Sequence, residues 1–107
     1  MTTTFQTRHS YGVVGGMRLH WAELGQTSNA PPIVLLHGMS DSHLTWKRIA
    51  PLLALHGRVL MPDLLGCGLS DRPDASYQLA WHARAIAEWL SDLGVESADF
   101  VGLRNNA

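Results

Sequence analysis

Residues Ile33 to Gly38 read IVLLHG, four apolar side chains in a row closed by a histidine and a glycine. An unbroken apolar run of this length, ended by glycine, predicts a short strand covered on both faces. Upstream, GQTSNAPP (25–32) is a loop, because glycine, asparagine and two prolines cannot continue a central strand. Before it, YGVVGGMRLHWAELG (11–25) reads as two strands turning at Gly15-Gly16, a pair suited to a two-residue hairpin.

Downstream, TWKRIAPLLALHG (45–57) predicts a helix through Trp46, Ile49, Leu52 and Leu53, with Gly57 as its stop and Pro51 forcing a kink or a late start. A second buried strand is expected from about Arg58 to Pro62. In YQLAWHARAIAEWLSDLG (77–94), Leu79, Ala83, Ile86, Leu90 and Leu93 step by four, three, four and three. That spacing predicts an amphipathic helix, with Gly94 as its C-terminal stop. Trp81, Ala85 and Trp89 add a second apolar stripe, read as packing. ADFVGL (98–103) is a last short strand.

After the opening hairpin, strands alternate with helices. The fold class is therefore α/β, with a mainly parallel sheet and right-handed crossovers. Ligand sites in such sheets lie beyond the C-terminal strand ends, where His37-Gly38 and Pro62-Asp63 fall.

Composition narrows the function. With 46% apolar and 16% charged residues over 107 positions, the chain has enough to bury one core, and a single domain over 1–107 is expected. The formal charge is −1 and no basic stripe is visible, which argues against nucleic acid and anionic membranes as partners. The polar start MTTTFQTRHSYG lacks the apolar run of a signal peptide, and no apolar run approaches the length of a membrane span. Cys67 is the single cysteine, so no internal disulfide framework exists. A cytoplasmic protein is the expectation.

Three stretches together resemble the α/β-hydrolase family. LLHGMSDSHLTW (35–46) is similar to that family's strand-end His-Gly segment, with the tryptophan that often follows it. MPDLLGCGLSDRP (61–73) is similar to its Asp-x-x-Gly-x-Gly-x-Ser-x-x-Pro loop, through Asp63, Gly66, Gly68, Ser70 and Pro73. ADFVG (98–102) is similar to the strand that enters the nucleophile elbow. The likeness covers the N-terminal part of such a domain, without its cap domain or C-terminal half.

The resemblance also implies roles. An elbow Gly-x-Ser-x-Gly, or the same turn with Asp or Cys, carries the nucleophile. Here the register gives Gly102, Leu103, Arg104, Asn105 and Asn106, so Arg104 stands at the nucleophile position. A guanidinium keeps its proton and offers no lone pair to attack a carbonyl. The acid and histidine of the triad would follow later strands. The residual oxyanion loop would be Gly38 and Met39, with the Met39 N–H as donor, and Asn105 would be the second donor. His37 and Asp63 mainly brace their loops in the family; Ser70 holds a structural position there.

Metal binding is a separate reading of the residues. HGMSDSH places His37, Asp41 and His43 within one short segment, and Asp63 is expected on a neighbouring strand end. Imidazole and carboxylate suit a divalent transition metal such as zinc. A bound metal can generate hydroxide without a serine. His9, His20, His56 and His82 are scattered and read as surface or core-edge residues.

Three functions stay open at this stage. One is a shortened hydrolase of activated esters or phosphoesters, working through a metal or a site between subunits. The second is a catalytically inactive, self-associating fragment. The third is one piece of a split hydrolase. An exposed strand edge and apolar face would favour a homodimer or larger assembly.

Overall fold

A computed structural model describes residues 6–28, 30–74 and 77–102. Arg104 and its neighbours 103–107, and with them the expected elbow, lie outside the described residues. Strands β1 (Arg8–Val14) and β2 (Met17–Leu24) form the expected hairpin, with Val14 opposite Met17. Gly15 and Gly16 have φ of 54° and 79°, the two positive values that this tight turn requires and that glycine reaches at least cost.

The remaining strands are β3 (Ile33–Leu36), β4 (Val59–Pro62) and β5 (Asp99–Gly102). The sheet order is β1-β2-β4-β3-β5. β3 runs parallel to β4 and β5, while β2 pairs antiparallel with both β1 and β4. This is the α/β class, with the parallel strands that the IVLL and VLMP runs predict.

Side chains alternate across the sheet. Val34, Leu60, Leu19 and Trp21 join Leu65, Ile86, Trp89 and Leu90 in one core. Leu35, Val59, Met61, Ala22 and Leu24 join Trp46, Ala50 and Ala54 in a second, on the opposite face. Each large apolar side chain removed from water in these layers contributes roughly 1.5–3 kcal/mol.

The first expected helix is shorter than its pattern. Only a 3₁₀ turn (His43–Trp46) and a single helical turn, α1 (Ala50–Leu53), form. Pro51 is the reason: it has no N–H to donate and is tolerated only at a helix start, where it sits.

The long helix, α2 (Leu79–Asp92), forms as expected. Gly94, at φ 74°, ends it; its N–H bonds the Ser91 carbonyl and the Val95 N–H bonds that of Leu90, a Schellman closure. Its buried face keeps only part of the stripe that the four-three spacing selects: Ile86 and Leu90 are buried and Leu93 packs against the core. His82, Ile86, Trp89 and Leu90 are buried, while Leu79 is 86% exposed and Ala83 is also exposed. Trp89 turns the helix: its ring lies 5.5 Å from that of Trp21, and a side chain of that size outweighs a leucine and an alanine in area buried.

Candidate functional site: the strand-end loops around Asp63

Asp63 follows β4 and has no solvent exposure. Its Oδ1 accepts the His43 backbone N–H at 2.6 Å and faces His43 Nδ1 at 2.9 Å. Its Oδ2 accepts the Leu69 N–H at 2.9 Å and faces His20 Nδ1 at 2.7 Å. Burial opposes its charge, but the Leu69 and His43 backbone donors and the two imidazoles outweigh it and hold the carboxyl below the usual aspartate range. Asp63 is therefore a carboxylate, and both imidazoles direct Nδ1–H at it.

The glycines of this loop exist to let that happen. A Cβ on Gly68 would lie 2.3 Å from Asp63 Cγ, and the backbone there is left-handed at φ 52°. The Asp63-to-Ser70 loop thus wraps its own carboxylate. Ser70 closes it: its hydroxyl donates to the Asp63 carbonyl at 2.6 Å and accepts the His20 N–H at 2.8 Å. A hydroxyl committed in both directions, on a residue only 5% exposed, is a strut and not a nucleophile. Cys67 is likewise buried.

His37 has the bracing geometry that its motif implies. Its Nε2 accepts the Leu64 N–H at 3.0 Å, which assigns the proton to Nδ1, and Nδ1 donates to the Gly38 carbonyl at 2.7 Å. Both nitrogens are occupied, one by the facing loop and one by its own turn. Met39 stands on the turn that follows, 40% exposed, with Ser40 at φ 72°. Asp41 is exposed and makes no side-chain hydrogen bond among the described residues; only its N–H returns to Gly38 O, at 3.1 Å.

The residues that the structure brings together differ from the set read from HGMSDSH. Among the described residues, His20, His43 and Asp63 hold nitrogen and carboxylate atoms within 4.8 Å of one another, and all three are buried. His37 and Asp41 do not join them. His20, read as a surface or core-edge residue, has no exposure, whereas His82, 6% exposed and lining a cavity, stands at the core edge. The missed signal was His20's place in β2, on the same face as Ala22 and Leu24. A histidine on a buried strand face demands a partner.

A second feature borders His37. A cavity of about 610 Å³ opens between α2 and β5, walled by Leu36, Leu64, Leu79, Ile86, Leu90 and Phe100. His82 also lines it, and neither of its ring nitrogens has a partner among the described residues. Burial, and then the nearby His37, lower its pKa, so it is neutral at pH 7.

The order of strands, the strand-end His-Gly turn and the self-wrapped Asp63 loop define an α/β-hydrolase scaffold. A family model described as alpha/beta hydrolase fold matches residues 31–103. The chain belongs to the α/β-hydrolase family. It is 32% identical over 94 residues to a soluble epoxide hydrolase of Corynebacterium sp. (strain C12), covering 88% of this chain and 32% of that one. It is 36% identical over 86 residues to a haloalkane dehalogenase of Agrobacterium fabrum (strain C58 / ATCC 33970), covering 80% and 27%. The crystal structure of the haloalkane dehalogenase DbeA from Bradyrhizobium elkani USDA94 superposes with a TM-score of 0.84 at 34% identity, covering 91% of this chain and 33% of that one. The chain spans about a third of the length of these relatives. No helix among the described residues is long and apolar enough to cross a membrane.

Proposed function

We propose that this chain forms the oxyanion-side part of an α/β-hydrolase, acting in the cytoplasm on small molecules with an electrophilic carbon. Haloalkanes and epoxides are the substrate classes that its relatives' names point to; activated esters share the chemistry of attack at such a carbon. One observation carries the reading. The loops at the ends of β3 and β4 are fully braced, and their nucleophile-bearing side chains, Ser70 and Cys67, are spent on or buried in that bracing. The scaffold prepares the Met39 turn to receive developing negative charge, worth about 3 kcal/mol per backbone donor, and neither Ser70 nor Cys67 is placed to attack.

The test compares halide release, epoxide opening and chromogenic ester hydrolysis by the chain alone and after mixing with the C-terminal two-thirds of the Agrobacterium dehalogenase. No turnover alone and measurable halide release on mixing is the expected result. Turnover by the chain alone that ignores a chelator would overturn it.

A second reading is metal-assisted hydrolysis of activated esters or phosphoesters, favoured by the imidazoles of His20 and His43, which Asp63 orients. Turnover that a chelator abolishes and one metal restores would select it. Self-association is part of either reading: all four residues of β5 are exposed, Phe100 at 54%, beside Leu79 at 86%. A homodimer or larger assembly is expected in light scattering at tens of micromolar.

A further inference from the structure

We propose that His9 and His20 form a site for a divalent transition metal, with His9 as its solvent-facing ligand and Asp63 as its orienting carboxylate and not as a ligand. This goes beyond the hydrolase reading and does not depend on turnover.

Tyr11 lies opposite His20 and His9 opposite Ala22, so His9 is the diagonal neighbour of His20 on the same face. The two rings are nearly parallel, 20° apart with centroids 5.1 Å apart, and His9 Nδ1 meets His20 Nε2 at 2.9 Å. Because Asp63 is ionised and 2.7 Å from His20 Nδ1, that nitrogen carries the proton and Nε2 carries a lone pair. A carboxylate behind an imidazole fixes its tautomer and raises its basicity, the arrangement that supports metal-ligating histidines.

Without a metal, His9 Nδ1–H fills the His20 lone pair. With one, His9 moves its proton to Nε2 and presents Nδ1. Metal–nitrogen bonds of about 2.0–2.1 Å put cis ligands close to 3 Å apart, so the nitrogen spacing needs little change. What changes is aim: the His9 ring swings off the direct line to His20. His9 is exposed on the outer strand, so that swing meets no packed core.

Asp63 is the wrong choice for a ligand, although it lies in the compact group. Its two oxygens already take two backbone N–H groups and two imidazoles, and the left-handed Gly68 seals it in. A metal bound there would strip the loop of its brace. By contrast, a cavity of about 190 Å³ reaches both His9 and His43, giving ion and water a path. The His43 ring lies 4.9 Å from that of His20 and 5.7 Å from that of His9, and it too is oriented by Asp63 through Nδ1. It is the third imidazole at the site's edge. Lys47 lines the same cavity and weakens attraction for a dication, which favours ions with high intrinsic affinity for imidazole. Copper(II) stands first in that order, ahead of nickel and zinc.

The experiment titrates Cu²⁺ into the untagged chain and reads electron paramagnetic resonance and calorimetry. One ion per chain with hyperfine coupling from at least two imidazole nitrogens is expected, and Zn²⁺ should compete. His9→Gln should weaken uptake by more than the roughly tenfold typical of losing an outer-shell partner and remove one nitrogen from the spectrum. His9 is exposed, so this variant should fold, and an unchanged circular dichroism spectrum checks that. His56→Gln, at an exposed histidine away from the site, should change nothing. Uptake that survives His9→Gln, or that falls equally in His56→Gln, would overturn the proposal, as would no saturable binding.

Discussion

The knot around Asp63 and the groove beside α2 both contain buried histidines, yet they solve opposite problems. In the knot Asp63 takes four N–H donors, two from the backbone and two from imidazoles, and Ser70 and His37 each use both of their capacities. In the groove, His82 is buried with neither nitrogen partnered among the described residues, and Leu79 and Phe100 face water. A satisfied buried network rigidifies its surroundings, whereas an unsatisfied group costs free energy until something covers it. The knot answers Asp63 from within the chain, whereas the groove leaves His82 unanswered among the described residues.

The sharpest way to break this contrast is Asp63→Ala. It leaves two buried imidazoles and two backbone N–H groups without their acceptor, and should cost about 3–5 kcal/mol. For a small domain that approaches the whole stability, so urea unfolding should show a collapsed midpoint or no cooperative transition. A midpoint close to that of the parent chain would remove the distinction between the two regions.

His82→Leu should act in the other direction. Replacing both orphaned nitrogens with an apolar group should stabilise the chain at pH 7, by up to about 1–3 kcal/mol.

The same substitution alters the pH profile. The pKa values of His20 and His82 are lowered from their ordinary 6.5, chiefly by burial; Asp63 opposes this at His20, while His43 and His9 reinforce it. The unfolded chain then binds more protons, so the stability tied to these groups is complete above pH 6.5 and is lost as pH falls through and below it. Asp63 and Glu23 are held below their ordinary 3.8 and 4.5, and their contribution disappears only at lower pH. At Glu23, Arg58 and Arg8 overcome the effect of burial. Acid unfolding should therefore weaken the chain in two stages. His82→Leu should shrink the first and leave the second, which denaturant midpoints from pH 7.5 to 3 would show.

The smallest effect belongs to Leu79→Ser. An exposed leucine gives little to the monomer, so the urea midpoint should shift by no more than about 0.5 kcal/mol. Association measured by light scattering should nevertheless weaken, because the groove loses its most exposed apolar side chain. Unchanged self-association would move the interface away from this groove.

Much of the scaffold could be read from the chain. Gly15-Gly16 marks a turn because the backbone there must adopt positive φ, and IVLL marks a strand because only a two-sided core tolerates such a run. The Asp63-to-Ser70 loop was legible as a motif, and the structure supplies its reason in the contact between Gly68 and the carboxylate. On α2 the two apolar stripes mark Ile86, Trp89 and Leu90, which are buried, but periodicity weighs the exposed Leu79 and Ala83 alike with them, while packing is decided by the largest, Trp89.

What the sequence determined by itself, then, was local: where strands, turns and the long helix lie, and that His37 and Asp63 stand at strand ends. What only the tertiary structure decided was which histidines meet Asp63. His20 is 43 residues away from it in the chain and His43 is 20 away. No spacing rule links them, because their meeting follows from β2 pairing with β4 and from the 3₁₀ turn packing over the strand ends. Backbone preferences act over a few residues and can be read in order. Contacts across a sheet depend on strand order, which emerges only when the whole core is buried at once.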